Sequence, residues 1–185
     1  MASVDVFLKG GVKVRQAVIW LTGLSGAGKT TLARALERGL CDAGCGVKVL
    51  DGDDLRAAVP GIGFDHDARH RHILNTAGLA ADLEAQGMLV VVSLISPYRE
   101  SRRQAREKCK NFLEVYVDTP LDECERRDPK GLYCRARSGE IGNFTGISDV
   151  YEAPENPEIR VPTIGLSENQ SADLLLEQIR ARLGL

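Results

Sequence analysis

The 185-residue chain is poor in several features, and each shortage closes off a class of protein. No apolar run reaches the roughly 18 residues that a membrane-crossing helix needs. The N-terminus lacks the charged-then-apolar layout of a secretion signal. Lys and Arg (24) do not outnumber Asp and Glu (26), so the net charge is −2 and no bulk basic surface is offered to nucleic acid. The five cysteines, Cys41, Cys45, Cys109, Cys124 and Cys134, are odd in number and contain no C-x-x-C pair. No neighbouring His completes a zinc set, and reduced thiols in a cytoplasmic protein are the expectation. There is no internal repeat and no low-complexity tract. A chain of this length is expected to be a single domain, residues 1–185, able to bury its own core.

What is present is concentrated at Gly23-Leu24-Ser25-Gly26-Ala27-Gly28-Lys29-Thr30. Glycine, four residues, glycine, lysine and serine or threonine is the phosphate-loop pattern. Ala17–Leu21 before it is an apolar run of strand length, and Thr31–Leu40 after it reads as a helix. A strand, a glycine-rich turn and a helix aim successive backbone N–H groups at one anion. Lys29 is then expected on the β- and γ-phosphates and the Thr30 hydroxyl on Mg²⁺. A chance glycine-rich turn is the bland alternative.

The rest of the chain alternates. Strands are expected at Ala17–Thr22, Val47–Leu50, Met88–Leu94, Phe112–Val117 and Ile159–Ile164. Between them lie a helix with Leu32, Leu36 and Leu40 on one stripe, a long helix over Asp67–Gln86, a charged helix over Arg99–Lys108 and a short one from Asp118-Thr119-Pro120 through Arg127. A closing helix places Ala172, Leu175, Leu176, Ile179 and Leu183 on one face. Residues 1 to 15 form an arm with a turn at Gly10-Gly11. Residues 128–157 are rich in Gly, Pro and charge and poor in apolar periodicity, which reads as a lid. The sum is an α/β fold of three layers, a P-loop NTPase with a mostly parallel sheet. Ligands in such sheets lie beyond the carboxyl ends of the strands.

That rule gathers three segments: the phosphate loop, Asp51–Arg56, and Ser93–Tyr98. Phosphoryl transfer needs a cradle, Mg²⁺, a group to orient the attacking hydroxyl, and cations. Of Asp51 and Asp53, one is expected to hold a water of the Mg²⁺ shell and the other to take the hydroxyl proton. Their alternative role is capping the short helix that begins near Asp53, with Asp54 the residue most suited to be a cap alone. Arg56, Arg69 and Arg71 form a basic group suited to a doubly anionic substrate, and Arg69 shares a helix face with His72. His66, His70 and His72 also raise a metal reading, but their spacing has no fixed carboxylate ligand. Phe64 and Phe144, two of only four phenylalanines, sit in Gly-rich loops and are placed either to plug a core or to stack a base. Lys130, Arg135 and Arg137 are lid cations. Ser96 is a substrate contact or a phosphorylated intermediate; with no adjacent base, direct in-line transfer is the simpler route.

Together these segments resemble the adenylylsulfate kinases from about Ala17 to Ile159. The resemblance is carried by Ile19–Thr30, Leu50-Asp51-Gly52-Asp53, Ile95-Ser96-Pro97-Tyr98-Arg99, Asp128-Pro129-Lys130-Gly131-Leu132-Tyr133 and Asn143-Phe144-Thr145-Gly146-Ile147. It implies transfer of the ATP γ-phosphoryl to the ribose 3′-hydroxyl of adenylylsulfate. ATP would be held by Gly23, Ser25, Gly26, Ala27, Gly28, Lys29, Thr30 and Thr31, with Arg127 towards its adenine. Adenylylsulfate would meet Asp51, Asp53, Arg56, Phe64, Arg69, His72, Ile95, Ser96, Lys130, Asn143 and Phe144. Lys29, Asp53 and Ser96 would be catalytic, with Ser96 a phosphoserine in some members. Thr30 would ligate Mg²⁺ and Asp51 would do so through water. The family also implies a homodimer and a functional link to ATP sulfurylase. The chain departs from the pattern at Asp54 and His72, each usually Asn, at Leu74-Asn75, usually two arginines, and at Cys134 and Gly142, where lysine is usual or frequent. These departures leave phosphoryl transfer intact and put the acceptor in question. Another nucleotide-like acceptor, or a binding switch without turnover, are the competing readings.

Overall fold

A computed structural model describes residues 6–7, 13–59, 61 and 63–185. The expected Gly10-Gly11 turn lies outside the described residues. Two short strands, β1 (Val6–Phe7) and β2 (Lys13–Val14), pair antiparallel in that N-terminal arm. The main sheet has five strands: β3 (Val18–Thr22), β4 (Val47–Asp51), β5 (Leu89–Ser93), β6 (Phe112–Asp118) and β7 (Ile159–Pro162). Their order is β4-β5-β3-β6-β7, and every pairing is parallel.

β3 and β5 are buried at every position, which is why they read as unbroken apolar runs. Along β3 the side chains alternate between two cores. Ile19 and Leu21 face one layer, with Leu32, Leu36 and Leu40 of α1 (Lys29–Asp42) and Leu175, Ile179 and Leu183 of α7 (Glu168–Leu183). Val18 and Trp20 face the other, with Ile73, Ala77 and Ala80 of α3 (His66–Ala85) and Ala105 of α4 (Arg99–Lys108). Helices on both faces of a parallel sheet complete the three layers. Three shorter helices, α2 (Gly52–Ala58), α5 (Leu121–Arg127) and α6 (Leu132–Arg137), lie along the carboxyl ends of the strands. The connection from β3 runs to β4 on one side of the sheet, and that from β5 crosses to β6 on the other; this reversal is the topological switch point where ligands of such sheets bind.

The structure adds detail to two expectations. The segment 128–157, though poor in apolar periodicity, contributes to the core: it contains α6, and Tyr133, Ala136 and Phe144 are buried in the same cluster as β3. These residues are too few and too unevenly spaced to show as periodicity. The charged helix α4 also sends one arginine inward. Arg102 is 3% exposed, donates to Glu114 at 2.7 Å, and reaches the carbonyls of Ser96 and Glu152 at 2.7 Å each. Truncating one partner of such a buried pair typically costs about 3–5 kcal/mol.

Candidate active site

The phosphate loop is shaped by close approaches that only glycine permits. A Cβ on Gly23 would lie 2.7 Å from the Val117 carbonyl oxygen, and Gly28, the residue before α1, has φ +102°. Thr119 supports the loop from beneath by donating to the Ala27 carbonyl at 2.9 Å, and Tyr133 reaches from α6 to the Ser25 carbonyl at 2.9 Å. Lys29 turns back on the loop, with Nζ donating to the carbonyls of Gly23 (3.0 Å) and Leu24 (2.7 Å). Burial pushes its pKa down to about 8, with Cys124, Asp51 and Asp53 opposing.

Asp51 ends β4 and joins two structures. Oδ1 accepts the Asp53 N–H at 3.0 Å and so caps α2. Oδ2 accepts the Thr30 hydroxyl at 2.8 Å. Of the three acids given a capping alternative, Asp51 is the cap, and Asp54, the one expected to be a cap alone, is not, because the helix begins at Gly52, two residues before Asp54. Asp54 points away, 77% exposed and 3.9 Å from Arg34. Asp53 is exposed and its carboxylate meets Lys130 Nζ across the cleft. A solvent-exposed pair of this kind is worth about 0–1 kcal/mol, so it opens readily.

The far end of the cleft is lined by Arg56, Phe64, Arg69 and His72. The Arg56 guanidinium lies 4.6 Å from the centre of the Phe64 ring, and that of Arg69 lies 5.9 Å from it. Burial first, and then the like charge of Arg69, push Arg56 below its ordinary pKa, with Asp53 opposing. Arg69 is more occupied than a free anion ligand would be. It donates to the Phe64 carbonyl at 2.8 Å, to Thr145 Oγ1 at 2.6 Å and to the Asn143 carbonyl. His72 is 6% exposed, and its Nε2 is the one buried side-chain N or O without a hydrogen-bond partner among the described residues. Burial, then Arg56, lower its pKa to about 4, so the ring is neutral. The other two histidines diverge: His66 packs on Tyr98 and His70 bonds Ser101 at 2.8 Å. Arg71 is exposed outside the cleft. Among the described residues no group of three or more His, Cys, Asp or Glu could hold a metal.

Phe64 is exposed, whereas Phe144 is buried edge-on against Tyr133, ring centres 5.0 Å apart. Asn143 has φ +51° and lines the cleft beside Phe144. Of the lid cations, Arg135 and Arg137 pair with Glu140 and Glu125. Ile95 offers its carbonyl to Thr22 Oγ1 at 2.7 Å. Ser96 is 2% exposed with φ +41°, and its hydroxyl accepts the Trp20 indole N–H at 3.0 Å.

At the opposite end Arg127 bonds Glu123 at 2.7 Å and faces the Thr163–Ser167 turn. That turn lines the cleft with Leu32, Ser171 and, from the 128–133 motif, Pro129 and Leu132; the turn itself was not visible as a motif, and only the Ser167–Gln170 capping box at the start of α7 marked the place. The whole cleft measures about 1310 Å³, above the usual 300–1,000 Å³ of a single-ligand pocket.

The family model for adenylylsulphate kinase matches residues 15–162. The chain belongs to the adenylylsulphate kinase family. The adenylyl-sulfate kinase of Picosynechococcus sp. is 50% identical over 150 residues, 80% of this chain and 85% of that one. The bifunctional enzyme NodQ of Rhizobium meliloti is 47% identical over 171 residues, 91% of this chain, which spans only 27% of NodQ. Among solved structures, the APS kinase CysC of Mycobacterium tuberculosis in complex with AMPPNP and APS superposes with a TM-score of 0.85 at 41% identity, covering 90% of this chain and 98% of that one. Of the departures from the family pattern, only His72 and Gly142 line the cleft; Asp54, Leu74, Asn75 and Cys134 do not. No helix among the described residues is long and apolar enough to cross a membrane.

Proposed function

We propose that this chain transfers the γ-phosphoryl of ATP to the 3′-hydroxyl of adenylylsulfate, giving ADP and 3′-phosphoadenylylsulfate. One observation carries the reading. A single cleft joins an intact phosphate loop to the positively charged, aromatic end at Arg56, Phe64 and Phe144, with Asp53 on its wall. Its size suits two nucleotides rather than one.

In this reading the loop amides and Lys29 hold the ATP phosphates, with Arg127 and the 163–167 turn on the adenine side. Thr30 and Asp51 supply hard oxygen donors and fit a magnesium ion held by one or two side chains plus phosphate. When bound, that ion neutralises charge on the β- and γ-phosphates. Arg56 and His72 take the acceptor, Phe64 and Phe144 flank its base, and Ile95 and Asn143 line its pocket. Lys130 leaves Asp53 for the anionic ligand, which frees Asp53 to accept the hydroxyl proton. Ser96 is then a wall residue: its hydroxyl is already engaged by Trp20 and no base stands beside it to make it a nucleophile. The chain as one domain, a homodimeric state and supply of the acceptor by a sulfurylase belong to the same proposal.

The test is coupled measurement of ADP release with adenylylsulfate against a panel of nucleotides. Turnover confined to adenylylsulfate is expected. Preference for another nucleotide would replace the acceptor, and ADP release indifferent to any acceptor would overturn the kinase reading.

A further inference from the structure

One carboxylate near the acceptor end has no part in the scheme above. Asp149 closes a tight turn whose hub is the Phe144 carbonyl, which accepts the backbone N–H groups of Ile147, Ser148 and Asp149 at 3.0, 3.0 and 3.1 Å. The Ser148 hydroxyl accepts the Phe144 N–H at 2.9 Å, and the Asp149 carbonyl accepts the Gly146 N–H at 2.7 Å. The turn is therefore stiff without the Asp149 side chain. The carboxylate reaches outward instead. Oδ1 accepts the Val150 N–H at 2.8 Å. Oδ2 accepts the hydroxyl of buried Tyr98 at 2.6 Å and lies 3.8 Å from Arg69 Nε.

Arg69 is the piece this carboxylate faces. It is 7% exposed and grips both walls of the acceptor end, the Phe64 carbonyl on one side and Asn143 and Thr145 on the other. Its second charged neighbour in the cleft is Arg56, of like sign. A buried guanidinium left without its counter-charge beside another of like sign is strongly destabilised where it stands. Tyr98 anchors the counter-charge: burial, then the bond to Asp149, push its pKa up to about 12, so it stays a donor at working pH.

We propose that Asp149 is a positioning residue for acceptor binding: fixed by Tyr98, it holds Arg69 between the Phe64 loop and the Phe144 turn. This rests on the function proposed above. Thr119 supports the phosphate loop from outside this turn, and Phe144, the turn's contact with Tyr133, is fixed by backbone and Ser148 bonds that do not use the Asp149 side chain, so the effect of Asp149 is confined to one end of the cleft.

Two variants of the full chain test it, with each substrate varied in turn. Asp149→Asn keeps an oxygen for Tyr98 and removes the charge. It is expected to raise the acceptor KM on the order of tenfold, the usual scale for a lost bond to a charged group, with the ATP KM unchanged. Tyr98→Phe should act in the same direction and more weakly. The double variant should match Asp149→Asn alone, because Tyr98 acts through Asp149. Equal rises in both KM values, an unchanged acceptor KM, or additive effects would each overturn the proposal. If Asp149→Asn does not fold, the KM split of Tyr98→Phe decides. Hydrogen exchange gives a readout that needs no turnover: both variants should speed exchange at 64–69 and 143–149 and leave 23–31 alone. A wild-type chain inert towards adenylylsulfate, with exchange changed as stated, would sink the function and keep the positioning role. An active chain with exchange unchanged or changed throughout would do the reverse.

Discussion

The two ends of the cleft are built by different means. At the phosphate end the ligand-facing groups are largely backbone, and the sequence that shapes them is eight consecutive residues, Gly23–Gly28 between β3 and α1 and the first two residues of α1. At the acceptor end they are side chains, and the supports cross long stretches of chain. Arg69 meets Thr145 across 76 residues, and Tyr98 meets Asp149 across 51. A backbone site leaves its signature in adjacent letters. A side-chain site leaves isolated residues that gain meaning only once the chain has folded. The first end is shared with many nucleotide enzymes, and the second distinguishes them.

Breaking the comparison is most direct at Phe144, which lines the acceptor end and packs on Tyr133, a support of the phosphate loop. Phe144→Ala removes a buried ring and should cost about 3–5 kcal/mol of stability by thermal or denaturant unfolding. If the ends are independent, the acceptor KM rises more than the ATP KM. An equal rise would mean that Tyr133, packed on Phe144 and bonded to Ser25, carries the damage to the phosphate loop. Asp53→Ala comes next. It should lower kcat by at least ~10²-fold while leaving the ATP KM largely intact. Because Asp53 is exposed and capping falls to Asp51, the fold should not suffer; near-normal turnover would remove Asp53 from the chemistry.

The smallest effect concerns pH, and it sharpens the distinction. Lys29 in the free protein titrates near 8 because it is buried. Phosphates favour its charged form, so above pH 8 ATP binding must take up a proton. The ATP KM should rise by up to about tenfold per pH unit above that point and be flat below it. The acceptor KM should show no such slope. The unliganded fold should respond in the opposite sense. Between pH 8 and the ordinary lysine value of 10.5 the unfolded chain binds more protons than the native one, so this group makes stability rise with pH there. A flat ATP KM through pH 9 would show that the loop carbonyls hold the lysine proton more firmly than burial expels it.

Much of the architecture could be read from the letters. The buried strands β3 and β5 are continuous apolar runs, and α1 carries its stripe at Leu32, Leu36 and Leu40. Element ends moved by a few residues, as with β7, which stops at Pro162 rather than Ile164. The phosphate loop was legible because its glycines answer a local demand. Three things were not. Arg102 looked like any residue of a charged helix, since nothing in its neighbours announces that Glu114 and two carbonyls await it. Arg69 read as an anion ligand, and only the folded chain places Phe64, Asn143, Thr145 and Asp149 around it. Asp51 and Asp54 could not be told apart as caps because that depends on where α2 starts, within one or two residues.

The indole of Trp20 has a use beyond packing. It is the chain's single tryptophan, held between the Phe112 ring, centres 5.5 Å apart, and the Ser96 hydroxyl at the cleft wall. Its emission is therefore an unlabelled optical gauge wired to one residue of the pocket. A nucleotide that shifts Ser96 will change the colour or yield of that light, and the binding of each substrate can be followed in a stopped-flow cell without a dye.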